Sequence, residues 1–473
     1  MKTIIVTVLL VATLPAVADK PNIIYFVIDE LGYYELSHMG HPKFRTPNID
    51  RLAAEGTRFT QFLAGSSVCA PTRCALLTGK HTGHSTVRNN GGFDPLLPGE
   101  YTIGSVLKSA GYATGGFGKW GNGGRGTSGV PEKHGFDVFF GYYDQVHAHT
   151  YFPRYLVRNS EEVPLPGNTG DPRNGQTFSQ YRIFEESKQF IRANKDRPFF
   201  AYLAWTPPHG RWGLPKDDPS LALYKDKPWK DDVKIYAAMV NLVDRELGEI
   251  RDLLKELGIA EKTFILFTGD NGGHEYFADK DHPRGFFAPN VNPKTGVEFR
   301  GGKGNLYEGG LRIPAIAHWP GRIAAGRVST HLGYFPDLLP TFAELAGAPV
   351  PKDVDGISIV PELFRKQQPQ HRYLYWEIAN QTAVRMGDWK AYRKGNENAA
   401  WQLYDLSKDI SETTDVAAQH TDVLARMKAF AAEAHRPMPQ GEIYDRSLVE
   451  KDRNYLDKPI ISKPKKKKKG NQT

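Results

Sequence analysis

Four short apolar runs stop abruptly at residues suited to chemistry, and that pattern limits the folds open to this chain. Asn22 to Ile28 (NIIYFVI) is largely β-branched and aromatic and ends at Asp29. Tyr112 to Phe117 leads to Lys119, Phe199 to Trp205 (FFAYLAW) leads to Thr206-Pro207-Pro208-His209, and Thr263 to Phe267 (TFILF) leads to Thr268-Gly269-Asp270-Asn271. Runs of this kind suit strands buried on both faces, as in parallel sheets. Helical patterns lie between them. From Asp231 to Leu257 the apolar residues Ile235, Met239, Leu242, Leu247, Ile250 and Leu254 recur at helical spacing, and Gly258 stops the segment. Thr46-Pro47-Asn48 opens a helix over Ile49 to Glu55, and Tyr101 to Ala110 forms another before Gly111. Alternating strands and helices predict an α/β domain with a mainly parallel central sheet flanked by helices. Ligands of such sheets bind beyond the carboxyl ends of the strands, so Asp29, Lys119, His209 and Asp270-Asn271 are expected on one edge.

The main domain is expected over residues 19–365. Over 366–445 the texture changes to short strand-like pieces (Tyr373 to Glu377, Ala383 to Arg385, Trp389 to Tyr392) and a helix over Thr421 to Ala434, a smaller α+β subdomain. Residues 1–18 read as a signal peptide: Lys2, an apolar run from Ile4 to Leu10, and a small-residue cleavage site at Ala16-Val17-Ala18. The expectation is an exported protein, periplasmic or secreted, with no later segment long enough to span a membrane. The formal charge of +8 misleads, because Lys463 and Lys465 to Lys469 carry six of those charges. Residues 446–473 are expected to be a basic, disordered tail. No basic recognition helix appears elsewhere, so no nucleic-acid partner is expected.

The chain has two cysteines, Cys69 and Cys74, too few and too close for a disulfide scaffold. Cys69 opens the segment Cys69-Ala70-Pro71-Thr72-Arg73. Pro71 suits the first turn of a helix formed by Thr72 to Leu77, which puts Cys69 at an N-terminus where free N–H groups favour negative charge and lower a thiol pKa. Arg73, a turn on, offers a guanidinium to an oxyanion. This pattern, followed by Leu76-Leu77-Thr78-Gly79-Lys80, resembles the signature of type I sulfatases of the alkaline phosphatase superfamily, and is similar to bacterial arylsulfatase-like glycan sulfatases. The resemblance runs from Pro21 to about Ala417, through Thr46-Pro47-Asn48-Ile49-Asp50, Gly118-Lys119-Trp120, Pro208-His209, Asp270-Asn271-Gly272, Lys303, Glu308-Gly309-Gly310 and Leu403-Tyr404-Asp405-Leu406.

The resemblance implies an alkaline phosphatase-like fold, one Ca²⁺ held by Asp29, Glu30, Asp270 and Asn271, and oxidation of Cys69 to formylglycine by a maturation enzyme. These four are hard oxygen donors suited to Ca²⁺ or Mg²⁺, although Glu30 stands where the family usually has Asp. It also implies sulfate-ester hydrolysis through a formylglycine–sulfate intermediate. Arg73, Lys119 and Lys303 would hold sulfate oxygens, and His209, helped by Lys303, would protonate the leaving group. A further departure is Gly121, two residues after Lys119, where many members have a histidine; His84 or a water is the alternative base. The segment from Gly135 to Pro153 and the stretch TGKHTGHSTVRNN resemble sulfatases of sulfated galactose or N-acetylgalactosamine units. They suggest His84, Arg88 and His149 as substrate contacts and a 4-sulfated glycan as substrate. Competing readings are a phosphonate or phosphodiester hydrolase of the same superfamily and a catalytically silent glycan-binding protein.

Overall fold

A computed structural model describes residues 20–287 and 289–454. The expected leader (1–18) and the lysine run (463–469) lie outside them. Ten strands form the main sheet: β1 (Asn22–Ile28), β2 (Thr57–Leu63), β3 (Ala113–Lys119), β4 (Val138–Tyr142), β5 (Tyr155–Arg158), β6 (Glu161–Pro164), β7 (Phe199–Trp205), β8 (Thr263–Gly269), β9 (Ala315–His318) and β10 (Arg327–Tyr334). Four more form a second sheet: β11 (Leu374–Ile378), β12 (Gln381–Met386), β13 (Trp389–Lys394) and β14 (Trp401–Asp405). The helices are α1 (Pro47–Glu55), α2 (Cys69–Thr78), α3 (Ile103–Ser109), α4 (Ser179–Ala193), α5 (Pro219–Ala222), α6 (Asp231–Glu256), α7 (Glu308–Leu311), α8 (Leu338–Ala346), α9 (Val360–Leu363), α10 (Thr421–Ala434) and α11 (Ser447–Arg453).

The main sheet runs β10-β2-β9-β8-β1-β7-β3-β4-β5-β6. Its middle five strands, β8 to β4, are all parallel, which sends their carboxyl ends to one edge. Both faces are covered. Ile24, Phe26 and Ile28 of β1 join one apolar cluster with α6, whereas Ile23, Tyr25 and Val27 join another with α2, α3 and α8. That alternation is the period of a strand packed on both sides. β9, β5 and β6 run antiparallel to their neighbours, an exception to the parallel pattern at and near the sheet's flanks. β3 and β8 extend beyond the runs read from sequence, to Lys119 and Gly269. Polar end residues still pair in the ladder even though they break the apolar pattern.

The second sheet is antiparallel throughout. One face packs on α10 and the other on Leu63, Leu306, Leu311 and Tyr334 of the main body. The start of the expected disordered tail is ordered instead. α11 buries Val449, and the fully buried Asp452 accepts hydrogen bonds from Arg125 (3.0 and 2.5 Å) and from Tyr155 Oη (2.6 Å). Two well-placed residues anchor a segment whose composition looks solvated. No described helix is long and apolar enough to cross a membrane.

A buried ionic cluster joins the two sheets. Lys390 of β13 lies 3.1 Å from Glu308 and 2.9 Å from Glu412, and Glu308 also binds Arg312 at 2.7 Å. Lys390, Glu308 and Glu412 are wholly buried. Burial pushes the Glu412 carboxyl up to about 7, with Lys390 opposing. Removing the ammonium leaves Glu412 charged without a cationic partner, so Lys390→Met is expected to cost about 3–5 kcal/mol. Because the raised carboxyl is neutral below about pH 7, the loss should be smaller at acid pH than at alkaline pH. Urea unfolding of both proteins at pH 5.5 and pH 8 checks this; an equal loss at both would assign the effect to packing.

Candidate active site

The site lies where the parallel strands end. Asp29 follows β1, Lys119 closes β3, His209 follows β7, and Asp270 and Asn271 follow β8. The ladder continues one step past the strands, with Asp29 N–H donating to Trp205 O and Asp270 N–H to Ile28 O, each at 3.0 Å. These bonds fix both carboxylates before any side-chain contact forms.

Asp29 is fully buried at the centre. Its Oδ2 accepts from Lys119 Nζ at 2.6 Å, and its Oδ1 accepts from Cys69 Sγ at 3.2 Å and lies 3.8 Å from Arg73 Nη2. Burial alone would raise its pKa, but Lys119, His209, Arg73 and Lys303 outweigh that and hold it well below the usual carboxylate range. Asp270 binds Arg73 Nη2 at 2.9 Å through Oδ2 and accepts the Glu30 N–H at 3.0 Å through Oδ1. Burial and the adjacent Asp29 charge push it up to about 7. Arg73 Nη1 donates to Lys119 O at 2.9 Å.

Cys69 is the first residue of α2, which starts three residues before the expected Thr72 and keeps Pro71 in its first turn. The expectation of a lowered thiol pKa fails. Burial and the Asp29 carboxylate push the thiol well above its ordinary value, outweighing Lys119 and Arg73. Thr72 stitches the helix to the metal-type edge, donating to Asp270 O at 2.8 Å and accepting from Gly65 N–H at 3.1 Å.

On the other side of Asp29, Lys303 forms an ion pair with Glu30 and donates to His209 Nε2 at 3.1 Å. Glu30 Oε1 is 3.0 Å from the same nitrogen, so one ammonium serves both acceptors. Burial pushes His209 down to about 4 and Lys303 down to about 8. Glu30 adopts a left-handed backbone (φ 61), which costs about 1–2 kcal/mol in a residue with a Cβ. Its carboxylate also accepts from Tyr276 Oη, a contact the sequence did not signal because Tyr276 lies in a segment of no clear period. His149 stacks on His209 with ring centroids 4.5 Å apart. Cys69 Sγ, an Asp29 carboxylate oxygen and a His209 ring nitrogen all lie within 4.8 Å of one another.

The structure thus brings together Asp29, Glu30, Cys69, Arg73, Lys119, His149, His209, Asp270, Asn271 and Lys303. It does not bring in His84, which stacks on His81 and binds Asp355 at 2.8 Å, so it is unsuited to stand in at Gly121. Arg88 lines a neighbouring groove of about 700 Å³ with Tyr375, Gln381, Arg393, Trp401 and Lys428. Two hydrogen bonds link the groove's surroundings to segments that carry Cys69 and Lys303. Asn90, next to the groove's lining residue Asn89, accepts from Ala70 N–H at 2.9 Å, and Gln381 donates to Gly304 O at 2.8 Å. Arg88 itself is paired with Glu377 at 2.8 Å.

The donor set fits a hard cation. Asp29, Glu30, Asp270 and Asn271 all offer wholly buried side-chain oxygens, and Asn271 Oδ1 has no hydrogen-bond donor among the described residues. The raised Asp270 carboxyl beside Asp29 marks a repulsion that a dication would relieve.

Comparison with known proteins agrees with this geometry. A family model described as sulfatase matches residues 21–348, and one described as N-sulphoglucosamine sulphohydrolase, C-terminal, matches residues 302–435. The chain is 34% identical over 468 residues to N-acetylgalactosamine-6-sulfatase of Canis lupus familiaris, covering 93% of this chain and 84% of the relative. It is 33% identical over 470 residues to arylsulfatase A of Homo sapiens, covering 87% of each. Among solved structures, Ps i-CgsB in complex with k-i-k-neocarrahexaose is similar, with a TM-score of 0.74, 28% identity, and coverage of 93% of this chain and 98% of that one. With its site built at the strand ends inside the matched region, the chain belongs to the sulfatase family of the alkaline phosphatase superfamily and is a sulfuric ester hydrolase.

Proposed function

We propose that this sulfatase removes O-sulfate from a sulfated carbohydrate, with formylglycine at position 69 and one Ca²⁺ held by Asp29, Glu30, Asp270 and Asn271. The observation that carries the reading is the convergence of Cys69, Asp29 and His209 within 4.8 Å, ringed by Arg73, Lys119 and Lys303. Oxidised to the aldehyde and hydrated, residue 69 would offer one hydroxyl to sulfur as the S–O bond to the alcohol breaks, and its second hydroxyl would let the aldehyde re-form as sulfate leaves. The cation, when bound, supplies charge neutralisation and acidifies that hydroxyl.

The chain's other residues do the rest. Arg73, Lys119 and Lys303 hold a sulfate group and oppose the charge that gathers on its oxygens. His209 Nε2 faces the Lys303 ammonium at 3.1 Å, so the pair holds a proton where an alkoxide leaves. A sugar alkoxide needs that proton; a phenolate does not. A sulfate is favoured over a phosphonate ester because the relatives at 33–34% identity are sulfatases.

The carbohydrate reading is supported by the groove beside the site, where Arg393 lies 4.9 Å over the Trp401 ring. It is also supported by a relative named for N-acetylgalactosamine 6-sulfate and a neighbour bound to a neocarrahexaose. A galacto-configured unit sulfated at position 4 remains the substrate we propose, with position 6 as the competing outcome. Export to the periplasm or medium is proposed on the same footing, from the leader alone.

Mass spectrometry of the peptide Val68–Arg73, from a maturation-competent host, should show a loss of about 18 Da against the thiol form. An intact thiol there would remove the nucleophile from the mechanism. His209→Ala should lower kcat on a 4-sulfated galactose by about 10²–10⁴-fold while sparing nitrophenyl sulfate, whose leaving group needs no acid; equal losses on both would reassign His209 to binding. Trp401→Ala should raise KM for a sulfated galactan oligosaccharide roughly tenfold, as loss of an aromatic anchor does. Its KM for nitrophenyl sulfate should not move, and a parallel rise would show that the groove does not hold sugar.

A further inference from the structure

The turn after β4 brings a residue to the site that no motif marks. Gln145 is 2% exposed, yet neither atom of its side-chain amide has a hydrogen-bond partner among the described residues. Its surroundings are not loose. The preceding Asp144 accepts from the N–H groups of Val146 (2.7 Å) and His147 (3.2 Å) and is held by Arg453 at 2.9 Å. A fixed, buried amide without protein partners is uncommon, and such groups are met by ordered water, an ion or a ligand.

Its position says which ligand. Gly121 N–H donates to Tyr143 O at 3.2 Å, lacing the ends of β3 and β4 together two residues past Lys119. Gly121 has a left-handed backbone (φ 80), and a Cβ there would come within 2.9 Å of Gln145 Oε1 and 3.7 Å of Arg73 Cδ. The amide therefore lies in the space that a side chain at 121 would take, beside the shaft of Arg73. Other unpartnered buried atoms belong to the same site: Arg73 Nε, His209 Nδ1, His149 Nε2 and Asn271 Oδ1.

We propose that Gln145 is a substrate-contacting residue, its amide N–H donating to a sulfate oxygen of the group held by Arg73, in the space that Gly121 leaves open. This rests on the sulfatase reading of the site. It makes β4 a fifth parallel strand whose end contributes to the chemistry. The contact is neutral, so it binds the anion without adding a titrating group next to Arg73 and Lys119.

Gln145→Leu separates this from a structural role, because an apolar side chain of similar size removes an unpaired buried amide and should leave the fold intact or firmer. The probes are inorganic sulfate, followed by the rise in Tm it induces, and kcat/KM on a sulfate ester. For Gln145→Leu we expect an unchanged or higher Tm without sulfate. The sulfate concentration for half-maximal stabilisation should rise at least tenfold, and kcat/KM should fall about 10–100-fold, as for a lost bond to a charged group. Gln145→Glu, which keeps the shape but repels the anion, should weaken sulfate further. If either folded variant responds to sulfate as the parent does, the inference is overturned while the sulfatase reading stands. A parent with neither a sulfate response nor turnover overturns both.

Discussion

Burying the Asp29 carboxylate strips it of hydration worth several kcal/mol, and the Lys119 ammonium at 2.6 Å, with Arg73 beyond it, offsets that loss. The arrangement works only because all three charges are fixed by backbone. Asp29 and Lys119 sit at the ends of β1 and β3, with β7 between them, and Arg73 is carried on the helix that starts at Cys69. Remove the parallel register and the two strand ends no longer meet. Remove Lys119 and the buried charge loses its nearest cation, with Arg73 left 3.8 Å away. The central sheet is thus the scaffold of a charge cluster before it is the scaffold of a reaction.

The second sheet matters to the site through the same kind of contact. Lys390 and Glu412 meet Glu308, which starts the short helix just after the Lys303 turn. Gln381, at the head of β12, holds that turn from both sides, accepting from Leu306 N–H at 3.2 Å and donating to Gly304 O at 2.8 Å. Lys303 therefore reaches Glu30 and His209 from a turn whose shape depends on a separate layer of the fold. The groove between the layers is a by-product of this docking, and it opens beside the residues that would handle a sulfate ester.

Much of this was legible in sequence because strands buried on both faces must be apolar without interruption, and the first polar residue then marks the end. That is how Asp29, His209 and Asp270 could be placed on one edge from NIIYFVI, FFAYLAW and TFILF alone. The Cys69-Ala70-Pro71-Thr72-Arg73 segment carried its chemistry in its residue types. What stayed hidden depends on long-range contacts that leave no local period. Tyr276 and Gln145 lie in turns and matter only for what they face. His84 looked equivalent to His149, but Asp355, some 270 residues away in sequence, captures it. α11 looked like the start of a solvated tail until Arg125 and Tyr155 supplied partners for Asp452.

The failed expectation at Cys69 is instructive. A helix N-terminus lowers a thiol pKa by favouring its anion, but here the wholly buried thiol faces Asp29 at 3.2 Å. A second negative charge at that spot meets a carboxylate already held in its ionised form. Thiolate chemistry is therefore suppressed by the same group that a metal would need as a ligand. An oxygen nucleophile on an oxidised residue avoids the conflict on the proposed reading, because it enters as a neutral hydroxyl and need be anionic only as it attacks. On that reading, a site built around an ionised Asp29 suits a neutral oxygen nucleophile at position 69 better than a thiolate.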